Sequence, residues 1–200
     1  MGIRWDRLME NKRRGHLCRG KIAIRGLVRL LVLDKNGNIK LRKAGLLRRL
    51  LGLQGKLMSQ KFHNIVTRQG DALIADALLE LPMRTKVKFS SGFMQLGTGW
   101  SGSNPKDNTQ CNAATGSPVP LDDGFPALKA AWGTAGDTTV IYRATFAAGS
   151  LDADGINEAC LLNGNGTEAD CLAYAQITPS VNVSSSDTLQ VQWEITIQGQ

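Results

Sequence analysis

Histidine is nearly missing from this chain: His16 and His63 are the only two in 200 residues. The four cysteines, Cys18, Cys111, Cys160 and Cys171, contain no C-x-x-C pair. With two imidazoles at most to help, they fit no structural zinc spacing. No G-x-S-x-G, H-E-x-x-H or G-x-x-x-x-G-K-[ST] occurs, so acyl transfer, zinc proteolysis and nucleotide-phosphate binding lack their usual constellations. His63, next to Asn64 at a strand start, reads as a hydrogen-bonding structural residue rather than a base. Long apolar runs are lacking too: none approaches the roughly 18 residues of a membrane helix. Arg13, Arg14, Arg19, Lys21, Arg25 and Arg29 break up any secretory-signal core, so synthesis and retention in a cytoplasm are expected unless the chain leaves within something larger. No enzyme, cofactor or membrane partner is expected.

Acidic residues are scarce only at the beginning. Residues 1–68 hold 18 Lys+Arg against 3 Asp+Glu, a net +15, and the remaining 132 hold 6 against 14, a net −8, which together give the +7 of the whole. A basic arm (residues 1–61) is therefore expected ahead of an acidic body (residues 62–200). The 22 glycines and 42% hydrophobic content fit turn-rich β architecture better than a helical bundle or a disordered chain.

Within the basic region, Ile22, Ile24, Gly26, Val28, Leu30 and Val32 alternate with Arg25 and Arg29, which is strand periodicity. Asn36-Gly37 predicts a hairpin turn with Ile39–Leu41 returning antiparallel. Leu47, Leu50, Leu51 and Met58 could share a helical face with Arg48 and Arg49 opposite, but Gly45, Gly52 and Gly55 weaken an autonomous helix. A segment that orders against neighbouring subunits is preferred there to an amphipathic membrane helix. Gly70, Leu73, Ile74, Ala77, Leu78 and Leu81 predict one packed helix over about 68–81, stopped by Pro82, with Asp71, Asp76 and Glu80 in solvent. Strands are predicted at 62–67, 93–96, 139–146, 156–162, 171–177 and 188–197. In the last, Leu189, Val191, Trp193, Ile195 and Ile197 alternate with Gln190, Gln192, Glu194 and Thr196, one face buried and one wet. Gly97 to Gly136 reads as a long irregular loop serving as a contact surface or ordered by a partner.

Three motifs carry weaker signals. Gly97-Thr98-Gly99-Trp100-Ser101-Gly102 matches G-x-G-x-x-G, but Ser103-Asn104-Pro105 follows where a dinucleotide site needs a helix. A tight glycine turn is the expectation. Asp152-Ala153-Asp154-Gly155 lacks the remaining ligands of a calcium loop and reads as an acidic turn. A hairpin centred between Asn165 and Gly166 would put Cys160 opposite Cys171, where they could bridge if oxidised.

The basic arm suits either phosphate backbones or an acidic protein surface. Few aromatics accompany its charges, and no nucleic-acid module is present, so arm-on-neighbour assembly is preferred. Its candidate contacts are Arg4, Arg7, Arg13, Arg14, Arg19, Arg25, Arg29, Arg48 and Arg49. Trp100 and Trp132 raise a carbohydrate-binding reading, against which packed or interfacial tryptophans are preferred.

The succession His63-Asn64-Ile65-Val66-Thr67 leading into Gly70 and the helix Leu73 to Leu81, Met94-Gln95-Leu96-Gly97-Thr98-Gly99, Tyr142 to Phe146, Ile156 to Leu162 and Ser186 to Ile197 resembles small virion structural proteins of tailed bacteriophages. The resemblance covers roughly residues 20–200. It implies an antiparallel β-sandwich, of jelly-roll or immunoglobulin-like type, with one packed helix. The expected role is capsid decoration or cement, or alternatively a neck or tail adaptor or fibre anchor. Expected partners are other virion proteins and copies of the chain itself, with location in the virion after assembly in a host cytoplasm. The very basic start and the Ser103–Asp123 insertion depart from that pattern.

Overall fold

A computed structural model describes residues 22–40 and 60–199 of the chain. Nine strands and one helix follow in the order β1 (Ile22–Leu33), β2 (Gln60–Val66), α1 (Arg68–Asp76), β3 (Phe93–Gly97), β4 (Ala114–Pro120), β5 (Ala127–Leu128), β6 (Thr139–Phe146), β7 (Ala153–Leu162), β8 (Cys171–Val183) and β9 (Thr188–Gly199). Every pairing is antiparallel, and the ladder runs β4-β3-β7-β8-β2-β1-β9-β6-β5. It folds into two sheets because β2 divides its bonding. Gln60–His63 pair with Leu27–Leu30 of β1, whereas Asn64–Val66 pair with Ala173–Ala175 of β8. A strand that changes sheets makes a sandwich corner. The mainly β, two-sheet architecture with one helix follows the expectation.

The core lies between the sheets. Val28, Leu30 and Val32 of β1, Tyr142, Ala144 and Phe146 of β6, and Leu189, Val191 and Trp193 of β9 meet Leu96, Ala159, Leu161, Ala173, Ala175 and Ile177 from the other sheet. The period-2 pattern of these strands delivers this face, since alternate side chains point the same way. In β9 the alternation fails at both ends of its rule: Ile197 is 42% exposed and Glu194 is buried.

β1 is flanked on both sides, by β2 and along its full length by β9. Residues 22–33 therefore belong to the sandwich, not to an arm ahead of it, because their apolar alternation fills the core. The turn after β1 forms as a type I turn: Gly37 N–H donates to Asp34 O at 2.9 Å, and the Asp34 carboxylate accepts from Asn36 and Asn38 N–H. Only Gly37 takes a positive φ, 77°, which is the left-handed position that follows such a turn. The return reaches Ile39, bridged to Leu33; Leu41 and the expected helical segment at 47–58 lie outside the described residues.

Two further differences concern the elements themselves. β4 and β5 occupy the stretch expected to be irregular. β4 sits at a sheet edge, largely exposed, and contains Pro118 and Pro120, residues that edges tolerate and periodicity cannot detect. The helix stops at Asp76 rather than Leu81, for a reason given below.

Arg29 of β1, opposite Gln192, reaches diagonally to Glu194 of β9 at 3.1 Å, and Lys129 reaches the other Glu194 oxygen at 2.7 Å. Asp187 likewise accepts from Lys40 and from Ser184 N–H and Oγ. Burial pushes both carboxyls upward, but these donors and cations outweigh it, so each is held below its ordinary range. A depressed carboxyl stabilises the fold above the unfolded-state pKa, and that contribution disappears as pH falls through the folded-state value. Stability should therefore begin to fall below about pH 5. Denaturant titrations at neutral and acid pH check this. Glu194→Gln should lower stability at neutral pH and shrink the acid-induced loss; an unchanged pH dependence would remove Glu194 from the account.

Candidate interaction surface

The described residues offer two places where polar and apolar groups are arranged for more than filling a core. The first begins at α1. Thr67 caps it, its Oγ1 accepting from Gly70 N–H at 2.9 Å, as N-cap threonines do. The stop comes from the last helical residue. The Asp76 carboxylate accepts from Met83 and Arg84 N–H, each at 3.0 Å. This folds 77–83 into a tight loop, and these bonds hold the Asp76 carboxyl below its ordinary range. Asp76 is thus a fastening for the loop rather than a merely solvated residue. Arg84 is pinned in turn by both oxygens of Asp170, at 3.0 and 2.9 Å.

The consequence is that the leucines expected to pack do not. Leu78 is 83% exposed, Leu81 82% and Met83 90%, with Leu79 and Phe89 also in solvent. Beside this apolar loop lies a hollow of about 200 Å³ lined by Leu73, Ile74, Ala77, Val87, Tyr142 and Leu172, with Asp76, Arg84 and Lys86 also on its wall. Burial pushes the Tyr142 hydroxyl up to about 12, so it stays a neutral phenol. A run of large apolar residues next to an apolar hollow is what contact surfaces present, whereas single exposed leucines are commonplace.

The second place is the outer face of the sheet formed by β3, β4, β7 and β8. Glu158 and Cys160 of β7 point away from the core, and Leu162, Cys111, Cys171 and Tyr174 join them in a separate small cluster with Phe93 and Trp100 against it. Residues 98–113 cover this face. Glu158 holds them there: its Oε1 accepts from Gly99 N–H at 3.0 Å and Ala113 N–H at 2.9 Å, its Oε2 from Asn112 N–H at 3.1 Å and from the Tyr174 hydroxyl. Trp100 stacks on Tyr174, centroids 4.9 Å apart. Burial first, and then the Glu158 carboxylate, push the Tyr174 hydroxyl far up, keeping it a donor.

This explains the glycine motif. No helix starts inside residues 97–102; a short 3-10 turn at Pro105–Asp107 follows instead. The amide N–H of Gly99 does meet an anion, but it is the chain's own carboxylate. A β-carbon on Gly97 would lie 2.3 Å from Glu158 Oε1 and 2.6 Å from Ala113 O, so the motif permits close backbone approach. The loop expected to be a contact surface or ordered by a partner is, over 98–113, ordered by Glu158.

Of the expected arm contacts, Arg25 is exposed on β1, whereas Arg29 is spent on Glu194 within the chain. Arg4, Arg7, Arg13, Arg14, Arg19, Arg48 and Arg49 lie outside the described residues. Cys160 and Cys171 are not cross-strand partners: the hairpin is centred between Gly166 and Thr167 rather than between Asn165 and Gly166, which sets Cys171 opposite Leu162, and a further shift of register between Leu161 and Leu162 sets Cys160 opposite Tyr174. All three described cysteines are free thiols. Asp152 and Asp154 flank the first residue of β7, and among the described residues no group of three or more His, Cys, Asp or Glu is placed to hold a metal. Trp132 is 85% exposed, while Trp100 is engaged by Tyr174. No helix among the described residues is long and apolar enough to cross a membrane. Neither Glu158 nor the exposed loop was singled out by sequence reasoning, although a carboxylate amid Ile156, Ala159, Cys160, Leu161 and Leu162 was a readable signal. Searches against family models, curated proteins and solved structures find no match to the chain.

Proposed function

We propose that this chain is a non-enzymatic structural protein of a bacteriophage virion, a capsid decoration or cement protein that attaches to neighbouring virion subunits and to copies of itself. The observation that carries the attachment reading is the exposed loop Leu78, Leu81 and Met83 beside its apolar hollow, a surface suited to contact rather than to solvent. The charge split supplies a second attraction: the +15 leading region and the −8 remainder of a neighbouring copy steer one another together. A neck or tail adaptor uses the same surfaces at lower copy number.

Mass-spectrometric quantification of the chain in purified particles tests this. Shell decoration predicts on the order of hundreds of copies, and a single closed ring at an axial position about a dozen or fewer. Absence from the particle overturns both. The triple change Leu78→Ser, Leu81→Ser and Met83→Ser should leave the thermal midpoint within a few degrees of wild type while abolishing attachment, since surface substitutions cost little stability. Attachment that survives the triple change would remove the loop from the interface. DNA binding with a steep salt dependence and no particle attachment would favour a nucleic-acid-binding module instead.

A further inference from the structure

We infer that Cys111 and Cys160 form a redox pair that closes into a disulfide when the protein meets an oxidising thiol–disulfide environment. Their sulfurs lie 3.2 Å apart, and a disulfide needs about 2.05 Å, so closure asks for a movement of only about an ångström. The flanking contacts favour that movement being made by the loop. Cys160 is fixed in β7 opposite Gln95 and Tyr174. Cys111 belongs to the segment preceding β4, where its N–H donates to the Gln95 side-chain oxygen at 2.9 Å and its thiol to Gln95 O at 3.5 Å. Cys171 completes the cluster and also stands against the Cys160 thiol, but its own thiol donates to Ala173 O at 3.3 Å.

Both partners are buried, and burial pushes both thiols up, Cys160 well above its ordinary range. Thiolate is the attacking form, so the closed protein reacts slowly and waits on local opening of the 98–113 cover. With oxidised glutathione as oxidant, the Cys111 thiolate attacks one glutathione sulfur, releasing one reduced glutathione and leaving a mixed disulfide. The Cys160 thiolate then displaces the second glutathione from Cys111. Two protein thiols give up two electrons and two protons, and one oxidised glutathione becomes two reduced ones. The new bond ties the cover to β7 beside Glu158, adding a covalent fastening to a hydrogen-bonded one. It would remain open in a reducing compartment and close outside it.

The full chain, incubated with oxidised glutathione under native conditions, unfolded, alkylated and peptide-mapped, gives the test. A Cys111–Cys160 linked peptide is expected, with Cys18 and Cys171 alkylated and the thermal midpoint raised by roughly 5–10 °C. Cys171→Ser should form the same link and the same rise. Cys111→Ser should form neither. Four alkylatable thiols after treatment, arrest at the mixed disulfide, or a link to Cys171 would each overturn the pairing, and all three are read on the wild-type chain even if a variant fails to fold.

Discussion

Glu158→Ala should cost about 4 kcal/mol of folding stability, read as a lowered denaturant midpoint at neutral pH, because the deletion does several kinds of damage at once. It removes the acceptor of three backbone N–H groups and one phenol. Hydrogen bonds to a charged group are worth about 1.5–3 kcal/mol each, and donors left buried without partners pay their desolvation in full. It also empties volume on a fully buried side chain, which the neighbours refill only in part. Glu158→Gln retains the shape but turns an NH2 toward donors on one side, so roughly half the loss is expected. Tyr174→Phe removes one donor to Glu158 and the acceptor of a long, part-buried bond from Asn112 Nδ2 at 3.3 Å, and should cost least of the three. The order Ala, then Gln, then Phe is the check. A Glu158→Ala protein as stable as wild type would mean that residues 98–113 are held by something other than this carboxylate.

A second large effect is expected from Gly70→Ala, and its sign is the informative part. Inside an exposed helix, alanine improves on glycine by up to about 1 kcal/mol. Here α1 sits on β8 so closely that a β-carbon at residue 70 would lie 2.0 Å from Leu172 O and 2.9 Å from its carbonyl carbon. Backbone atoms cannot rotate away as a side chain can. Either α1 lifts, breaking the Thr67–Gly70 cap, or β8 bends. Overpacking of this kind costs about 1–3 kcal/mol, and loss of the cap adds about 1 kcal/mol. Thermal and denaturant melts should both fall, and a stabilised variant would show that the helix has another seat.

How far sequence reached can be judged from particular elements. β6 spans Thr139–Phe146 as its alternation dictates, and β9 and β1 follow theirs closely, since burial of one face is written in period 2. Where tertiary bonds overrule local pattern, reading residue by residue fails. The stripe through Ala77, Leu78 and Leu81 was a sound helical signal, but the Asp76 carboxylate finds Met83 and Arg84 N–H and ends the helix early. The symmetric spacing of Cys160 and Cys171 about Asn165 and Gly166 assumed a turn centred there, but the hairpin is centred one residue later, and the sulfur nearest Cys160 comes from Cys111, 49 residues upstream. Glu194 looked solvent-facing because its strand alternates; cations from β1 and from the segment after β5 bury it. A partner that arrives from far along the chain leaves no local trace.

The place of β1 has a consequence for how the molecule comes into being. Its neighbour along all twelve residues is β9, so the earliest described strand is completed by the last. During synthesis the β9 edge of β1, rich in valine and leucine, emerges long before its match exists, and an unmatched edge is a template for the wrong strand. β6 waits on the same late arrival, because β9 is its partner too. Pairing across such separation in sequence is slow. The sheet holding β5, β6, β9 and β1 therefore assembles as one late event, and a chain released or cut before residue 188 forfeits half the sandwich rather than a single strand.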